Sequence, residues 1–408
     1  MNPFPGPRPY SVHERARFFA RDAVVKKLAN QILARRATTV FGPSGAGKSS
    51  LMQAGVIPTL QEAQDARVVS IDAWPVQTPP LLWLVNQIYL DYDLGQVPEG
   101  KTLLEALQNA IDLAWRQNDS PMLVVLDQVE QLFVNEREIA DMDAWLQGLS
   151  WLTDARRSED VHVVFSLRED YLGRLRDITR ERPELSMHGF RVAPLSVGEM
   201  APAMCRTAKE GDPPQIWDAE GLRALMLDVR VPGQRATDAA EVQTAFGQIV
   251  CRALWEAQEG GQTVELKSVN AEMILRRYFE ATLAELGELR DAAQGLLEEH
   301  LIDPEGHRTL LTEKQARLVL GESTREILAQ LEKSAILRAE EHQGSRYFEL
   351  GHDWLAKKVL ERRVSRKKSE TEVKRRQQEA KLHAEARRVR RRSLSVTVVT
   401  GCIVLGVV

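Results

Sequence analysis

The chain has 408 residues, of which 43% are apolar and 27% are charged, and its net charge is −4. This length exceeds the usual span of one hydrophobic core, so we expect two or three domains. The ordinary composition excludes wholesale disorder and a polytopic membrane protein. Cys205, Cys251 and Cys402 are far apart and show no metal-ligand spacing, which favours a reducing cytosol over a disulfide scaffold.

Charge is distributed unevenly along the chain. Residues 356–392 contain 16 Lys or Arg and 5 Asp or Glu, a net charge of +11, and the residues that follow carry none. The first 355 residues therefore carry −15. Because contacts to nucleic-acid phosphates need a positive surface, this acidic body argues against nucleic acid as a specific partner.

The first 195 residues alternate between apolar strands and helices. The predicted strands are TTVFGPSG (38–45), RVVSID (67–72), PMLVVLD (121–127), VHVVFSLR (161–168) and FRVAPLS (190–196), and the predicted helices are 81–92, 102–115 and 141–157. Strands that are apolar throughout and alternate with helices are typical of a parallel sheet covered on both faces. The sequence therefore predicts an α/β domain over residues 1–195.

Two further domains are predicted after this one. Residues 196–297 have helical apolar spacing, clearest in 238–258 and 270–286, which predicts a helical domain. Residues 298–353 combine two short helices with two strands around a Gln-Gly-Ser turn, which indicates a winged-helix domain. Such domains usually bind DNA, but this stretch is not strongly basic, so DNA binding is only an alternative.

The last part of the chain is first basic and then apolar. Residues 354–392 lack glycine and proline and predict a basic helix, either a solvated stalk or a segment attracted to anionic lipid headgroups. Residues 393–408 are uncharged and apolar but shorter than the roughly 20 residues of a membrane-spanning helix. We expect a partial or short transmembrane segment. The arginines before it favour a cytoplasmic location for the preceding domains, at the inner membrane. A helix end buried in a core or a partner is the alternative.

A phosphate-binding motif lies between the first strand and the helix that follows it. Gly42, Gly47, Lys48 and Ser49 fit the pattern GxxxxGKS without a mismatch. Glycines allow main-chain N–H groups to surround a β-phosphate, and the start of the helix adds the positive end of its dipole. We expect Lys48 to contact the β- and γ-phosphates and the Ser49 hydroxyl to bind Mg²⁺. The predicted nucleotide-binding residues in this P-loop are Gly42, Pro43, Ser44, Gly45, Ala46, Gly47, Lys48, Ser49 and Ser50.

Three charged residues near strand ends complete the predicted catalytic set with Lys48. Asp127 follows a buried strand and is expected to be the second Mg²⁺-binding residue. Glu130 is either a general base that orients the attacking water or a surface carboxylate at a helix start. Arg168 ends the next strand, at the edge where such sheets bind ligands. It is expected to contact the γ-phosphate, with an internal salt bridge to Asp170 as the alternative.

Four stretches together resemble the nucleotide-binding module of bacterial STAND NTPases of the novel STAND class. These stretches are NPFPGPRPYSVHERARFFARD, FGPSGAGKSSLMQAGVIPTL, LVVLDQVEQLF and VVFSLREDYLGRL. The resemblance continues more weakly to about residue 360. It implies a P-loop domain, a helical domain and a winged helix folded over ATP or ADP. Gly351, His352 and Asp353 match an MHD-type motif, so the resemblance assigns His352 to contact with the β-phosphate of ADP.

The sequence also departs from the family pattern. Ala20 stands where the family usually has glycine, and Gln131 stands where a second acidic residue is common, which weakens the case for hydrolysis. Relatives often place a proline against the adenine, and none occurs in residues 238–249. Phe4 and Arg8 in the opening segment are instead candidates to line the base and ribose.

The resemblance implies a signalling switch related to NOD-like receptors and apoptotic ATPases. ADP holds the closed form, ATP permits homo-oligomerisation, and slow hydrolysis resets the switch. Relatives act in bacterial programmed responses, including defence against phage. A trigger or effector protein is expected as a partner, and the sequence does not identify it. The alternatives are a membrane-anchored scaffold with a structural nucleotide and an AAA+-like motor ATPase.

Overall fold

A computed structural model of the protein describes residues 1–75, 78–117, 120–134, 138–261, 265–342, 345–351, 355–369 and 371–379. The first part is built on a sheet of five parallel strands in the order β2-β3-β4-β1-β5. The strands are β1 Ala37–Gly42, β2 Arg67–Ile71, β3 Met122–Leu126, β4 Val161–Arg168 and β5 Gly189–Arg191. The predicted parallel sheet is thereby confirmed, although β5 is shorter than the stretch 190–196 proposed for it.

Helices cover both faces of this sheet because its central strands are apolar on both sides. Leu123 and Val125 belong to a core with helices α1 and α2, whereas Val124 and Leu126 belong to a core with α3, α4 and α6. The helices are α1 Asp22–Leu33, α2 made of the contiguous segments Lys48–Ser50, Leu51–Val56 and Ile57–Gln64, α3 Pro80–Asp91, α4 Leu103–Gln117, α5 Gln131–Val134, α6 Ile139–Leu152 and α7 Leu172–Ile178. The middle segment of α2 is π-helical.

The second part of the chain is mainly helical and ends in a small antiparallel sheet. Its helices are α8 Val197–Lys209, α9 Ala219–Asp228, α10 Thr244–Glu259, α11 Ala271–Glu285, α12 Arg290–His300, α13 Glu313–Leu320 and α14 Thr324–Lys333. Its strands are β6 Leu311–Thr312, β7 Leu337–His342 and β8 Ser345–Leu350, in the order β6-β8-β7. We refer to α13, α14 and β6 to β8 as the C-terminal module.

The helices α8 to α12 and the C-terminal module share one hydrophobic core. Its buried residues extend from Leu195 to Val359 and also include Phe4 from the start of the chain. The predicted domain boundary between residues 297 and 298 lies inside α12. The helices α13 and α14 and the strands β6 to β8 lie within the predicted winged-helix range 298–353, and the winged-helix assignment stays a prediction.

The first part of the predicted basic helix packs against the body of the protein. Residues 355–369 (α15) and 371–379 (α16) are helical, and Val359 is buried in the shared core. Arg362 pairs with Glu280 at 2.8 Å, and Arg366 pairs with Glu298 at 2.6 Å. The expectation of a solvated stalk is therefore wrong for α15, because an apolar stripe and acidic partners on α11 and α12 hold it against the body.

The apolar segment 393–408 lies outside the described residues, as do all residues after 379. Among the helices of the described ranges, none combines the length and the apolar character that crossing a bilayer requires.

Gly42 at the end of β1 is required by a close approach of two main chains. The N–H of Val192 donates to the carbonyl oxygen of Phe41 at 2.7 Å, which brings the chain after β5 against β1. A Cβ added at Gly42 would lie 2.2 Å from the carbonyl oxygen of Val192. A main-chain atom cannot move aside as a flexible side chain does, so this position excludes larger residues whether or not a phosphate binds nearby.

We predict that Gly42→Ala lowers the free energy of unfolding by about 1–3 kcal/mol, since overpacking forces the backbone to shift. Urea denaturation followed by circular dichroism measures this change. Gly173→Ala is the control, because a Cβ at Gly173 in α7 meets open space, so this change should not destabilise the protein and can stabilise the helix slightly. Equal stability of Gly42→Ala and wild type would contradict the assignment.

Candidate functional site

The loop between β1 and α2 owes its shape to two glycines. Gly45 and Gly47 have φ angles of +75° and +87°, and a Cβ at either position would meet open space. These left-handed backbone conformations are accessible to glycine at little cost and strained for other residues. The loop thus turns tightly with open space beside both glycines, as an anion-binding loop requires.

Lys48 is held inside this loop by main-chain oxygens. Its Nζ donates hydrogen bonds to the carbonyl oxygens of Gly42 at 2.9 Å and Pro43 at 3.1 Å. Burial lowers the pKa of the Lys48 ammonium, and the charges of Glu130 and Asp127 oppose that shift. The ammonium therefore lies between the phosphate loop and the acidic residues at neighbouring strand ends.

Arg21, which the sequence did not single out, braces the outside of the same loop. Its side chain is buried, and its Nη2 donates to the carbonyl oxygens of Ala46 at 3.1 Å and Ala193 at 2.8 Å. Because a trans peptide directs its C=O and N–H to opposite sides, this contact directs the N–H of Gly47 away from Arg21. Arg21 thus fixes the orientation of a loop amide and connects the loop to the chain after β5.

The backbone conformation of Ala20, the residue before Arg21, shows why the family usually has glycine at this position. Ala20 has a φ angle of +66°, a left-handed conformation that glycine adopts freely and alanine adopts at a cost of roughly 1 kcal/mol. The usual glycine at this position is therefore a backbone requirement. Alanine meets it with strain at the entry to α1.

The opening segment contacts the site through Tyr10. The N–H of Tyr10 donates to the Ser50 hydroxyl at 3.1 Å, and its own hydroxyl accepts from Gln248 of α10 at 3.1 Å. Tyr10 thus joins the helix after the phosphate loop to the helical part of the chain.

Phe4 and Arg8 make other contacts than those predicted. Phe4 is 2% exposed and stacks on Trp217 with ring centroids 5.1 Å apart, and Arg8 pairs with Glu14 at 2.6 Å. Their partners are thus Trp217 and Glu14, which differs from the predicted lining of a base and ribose.

Asp127 lies at the carboxyl end of β3 and is only 4% exposed. Its Oδ1 accepts from the N–H of Gln128 at 3.0 Å, and its carbonyl oxygen accepts from the indole N–H of Trp74 at 2.8 Å. These contacts fix the residue at the edge of the sheet. A buried carboxylate together with the Ser49 hydroxyl at the start of α2 offers the hard oxygen ligands that Mg²⁺ prefers, so these residues fit the ion.

Glu130 carries a buried carboxylate oxygen. Its Oε2 is inaccessible to solvent and has no hydrogen-bond partner within the described residues. Burial raises the pKa of Glu130 to about 7, although the nearby Lys48 charge acts in the opposite direction. A carboxyl group with a pKa near neutrality is suited to take up and release a proton during a reaction. Glu130 as a whole is half-buried and lies directly before α5, so its role as a base stays a prediction.

Arg168 ends β4 in direct register with Gly42 of β1. Its side chain is 6% exposed and donates two hydrogen bonds to Asp170, at 3.1 and 2.9 Å, and one to Glu332 of α14, at 3.1 Å. Burial alone would lower the pKa of Arg168, but the charges of Asp170 and Glu332 outweigh it and raise that pKa. The salt bridge to Asp170 is present, as the alternative held, and contact with a γ-phosphate stays a prediction.

His352 lies outside the described residues. The residue before it, Gly351, accepts a hydrogen bond on its carbonyl oxygen from Gln243 Nε2 at 3.0 Å. The N–H of Gly351 donates to the carbonyl oxygen of Ile336 at 2.8 Å. The chain that leads to His352 is thus fixed to the start of α10 and to the C-terminal module.

A glycine loop between a parallel strand and a helix, with a lysine in the loop and an aspartate at a neighbouring strand end, defines the class of P-loop NTPases. The sequence model of the family described as novel STAND NTPase 1 matches residues 3–393. The chain therefore belongs to the novel STAND NTPase 1 family, as its motifs indicated. No curated protein matched the chain.

Solved structures similar to this chain include ORC proteins and a Walker-type ATPase. The ORC1 protein of Aeropyrum pernix in complex with DNA is 16% identical, with a TM-score of 0.51 over 85% of this chain and 94% of that one. The ORC2 protein of the same organism, as ADPNP-ADP complexes, is 16% identical, with a TM-score of 0.48 over 84% and 93%. The Walker-type ATPase PABY2304 of Pyrococcus abyssi is 13% identical, with a TM-score of 0.48 over 87% and 98%. At these identities the similarity concerns the fold.

We predict that ATP hydrolysis by this protein rises with pH through about 7. Only the deprotonated carboxylate of Glu130 accepts a proton, and its fraction increases from roughly 10% at pH 6 to about 90% at pH 8 when the pKa is near 7. Phosphate release measured between pH 5.5 and 8.5 tests this.

Two variants complete that measurement. Glu130→Gln should lose hydrolysis at every pH, and Glu138→Gln, an exposed acid before α6, is the matched control. A flat profile, or full activity in Glu130→Gln, would show that another group is the base.

Proposed function

We propose that this protein is an ATP/ADP-dependent signalling switch that is closed with ADP and competent to form homo-oligomers with ATP. The observation that carries this proposal is the ion pair between Arg168 and Glu332. It connects the sheet edge that bears the phosphate loop directly to the C-terminal module. A change in the phosphates bound at that edge is therefore sensed by a part of the protein far away in sequence.

The proposed binding roles follow from the positions of the side chains. Amides of residues 42–50 and the Lys48 ammonium bind the phosphates, and Ser49 and Asp127 hold Mg²⁺. The ion neutralises phosphate charge when bound. Glu130 in its charged form takes a proton from the attacking water, and slow hydrolysis returns the protein to its ADP form.

The proposed coupling uses the second half of the chain. We assign residues 298–353 to a winged helix and His352 to contact with the β-phosphate of ADP, as the family resemblance implies. The hydrogen bond from Gln243 to Gly351 supports this by fixing the chain just before His352. A ligand shifts a conformational equilibrium only when it binds one state of the protein more tightly than the other. The proposal therefore requires that ADP favours the closed state with these contacts and that ATP favours the open state without them.

Two rival functions make different predictions. A scaffold with a structural nucleotide would retain ADP, never exchange it and never change its oligomeric state. An AAA+-like motor would hydrolyse ATP at many cycles per second and stop with Glu130→Gln. The proposed switch instead exchanges its nucleotide, turns over slowly and changes size.

We predict that the purified protein contains ADP and becomes larger when ATP and Mg²⁺ are added, because ATP removes the closed form. Chromatography of the released nucleotide and light scattering measure the two effects. Lys48→Ala should weaken ADP binding about 10- to 100-fold, since it removes a charge-assisted hydrogen bond. Lys26→Ala, which alters an exposed residue of α1, is the control. Unchanged ADP affinity in Lys48→Ala would refute the phosphate assignment.

Membrane attachment at the cytoplasmic face and a role in defence against phage are further parts of the proposal. The first rests on the apolar residues 393–408 behind a run of arginines, and the second on the family resemblance alone. The full chain should float with anionic phospholipid vesicles, and the double substitution Ile403→Lys, Leu405→Lys should abolish flotation, because buried charge is costly in lipid. Equal flotation of both proteins would contradict attachment through this segment.

A further inference from the structure

We propose that Glu332 sets the nucleotide preference of the closed form, because its carboxylate competes with a γ-phosphate for Arg168. In this proposal the closed form prefers ADP over ATP because the C-terminal module contributes a negative charge, the Glu332 carboxylate, beside Arg168. This inference rests on the proposed function, since it requires that the phosphate loop binds ADP and ATP.

The guanidinium of Arg168 makes three hydrogen bonds to two carboxylates. Nε and Nη2 donate to the two oxygens of Asp170, and Nη1 donates to Glu332 Oε1 at 3.1 Å. The guanidinium presents five N–H donors in a fixed planar fork, and Asp170 occupies the Nε–Nη2 edge, so an anion that approaches Nη1 shares that nitrogen with Glu332 or replaces it. Asp170 belongs to the same loop as Arg168, whereas Glu332 comes from another part of the fold. Glu332 is therefore the partner that can be displaced.

The position of Arg168 makes it a ligand-facing cation. Its Cα pairs with that of Gly42, the first residue of the phosphate loop, across adjacent parallel strands. In sheets of this type, ligands bind at the carboxyl ends of the strands. A phosphate chain that is bound by the loop and extends beyond its β-phosphate thus meets the strand end that carries Arg168.

The charges of this cluster are balanced only without a third anion. Arg168 and Arg346 carry two positive charges, and Asp170 and Glu332 carry two negative charges, with Arg346 2.5 Å from Glu332 Oε2. A γ-phosphate that reaches Arg168 while Glu332 is still paired with it places an additional anion on a largely buried cation, which is unfavourable. ADP adds no such charge. Discrimination through a repulsive group is a common device of specific binding sites.

The same contact explains how ATP would open the protein. Glu332 lies near the end of α14, and its second partner, Arg346, lies on β8 of the same module. When a γ-phosphate takes Arg168, Glu332 keeps Arg346 and loses its only described partner on the sheet domain. The C-terminal module is then no longer tied to the phosphate edge by this pair.

We predict that Glu332→Gln raises the affinity for a non-hydrolysable ATP analogue about tenfold and leaves ADP affinity within twofold. A tenfold change corresponds to about 1.4 kcal/mol, and couplings between sites are typically 5- to 150-fold. Isothermal titration calorimetry with Mg²⁺ present gives both dissociation constants for each protein. Glu326→Gln, an exposed acid on the same helix, is the matched control and should keep the wild-type ratio.

A second pair of variants tests whether the effect acts through Arg168. Arg168→Gln and the double variant Arg168→Gln, Glu332→Gln should have the same ratio of ADP to ATP affinity, because the competed cation is absent from both. If Glu332→Gln still changed the ratio in the Arg168→Gln background, or changed ADP and ATP affinity equally in the wild-type background, the inference would be wrong. Failure of the wild type to bind either nucleotide would instead overturn the proposed function. ADP affinity itself reports whether each variant is folded.

Discussion

The side-by-side pairing of parallel strands is the constraint on which the rest of this structure depends. Because β1 and β4 run in the same direction and Gly42 pairs with Arg168, the phosphate loop and a cation 126 positions further along the chain meet at one edge. The adjacent strand β3 adds Asp127 and Glu130 to the same edge. Glycine at position 42 allows the chain after β5 to pack closely against β1, which holds the edge together.

Concentrating charges at a buried edge has an energetic consequence. Burial lowers the pKa of Lys48 and raises that of Glu130, so each of these groups is partly stabilised in its charged form by the other. Two carboxylates stabilise the charge of Arg168 against its burial and raise its pKa, and one of them, Glu332, comes from the C-terminal module. A balance of this kind responds to each added phosphate charge. Arg168, a candidate ligand-binding residue, is thus also one of the residues that link the two parts of the protein.

Local patterns in the sequence were sufficient for the sheet and for the phosphate loop. Continuous apolar runs predicted β3 and β4, and the glycine spacing placed a loop before α2, because both features depend on residues close together in the chain. Contacts between distant residues were not predictable: Glu332 is 164 positions from Arg168, and the acids that hold α15 come from α11 and α12. The high density of charge in this segment therefore predicted a solvated stalk, whereas in the fold α15 is paired with acidic residues of α11 and α12. Arg21 was also missed. Its described hydrogen bonds go to main-chain carbonyl oxygens, which every residue carries, so no residue type in the sequence indicates this contact.

The distribution of apolar surface indicates where this protein can separate into two bodies. The helices α8 to α12, the C-terminal module and α15 share one core, so parting them would expose apolar surface at roughly 25 cal/mol per Å². The sheet domain has its own two cores, and its described links to the second half include the Arg168–Glu332 pair and the Tyr10–Gln248 hydrogen bond. Polar links of this kind are exchanged for water at a smaller net cost. The opening segment is the exception, because Phe4 lies in the shared core and stacks on Trp217. The proposed opening would therefore leave this segment and the C-terminal module with the helices to which they are packed.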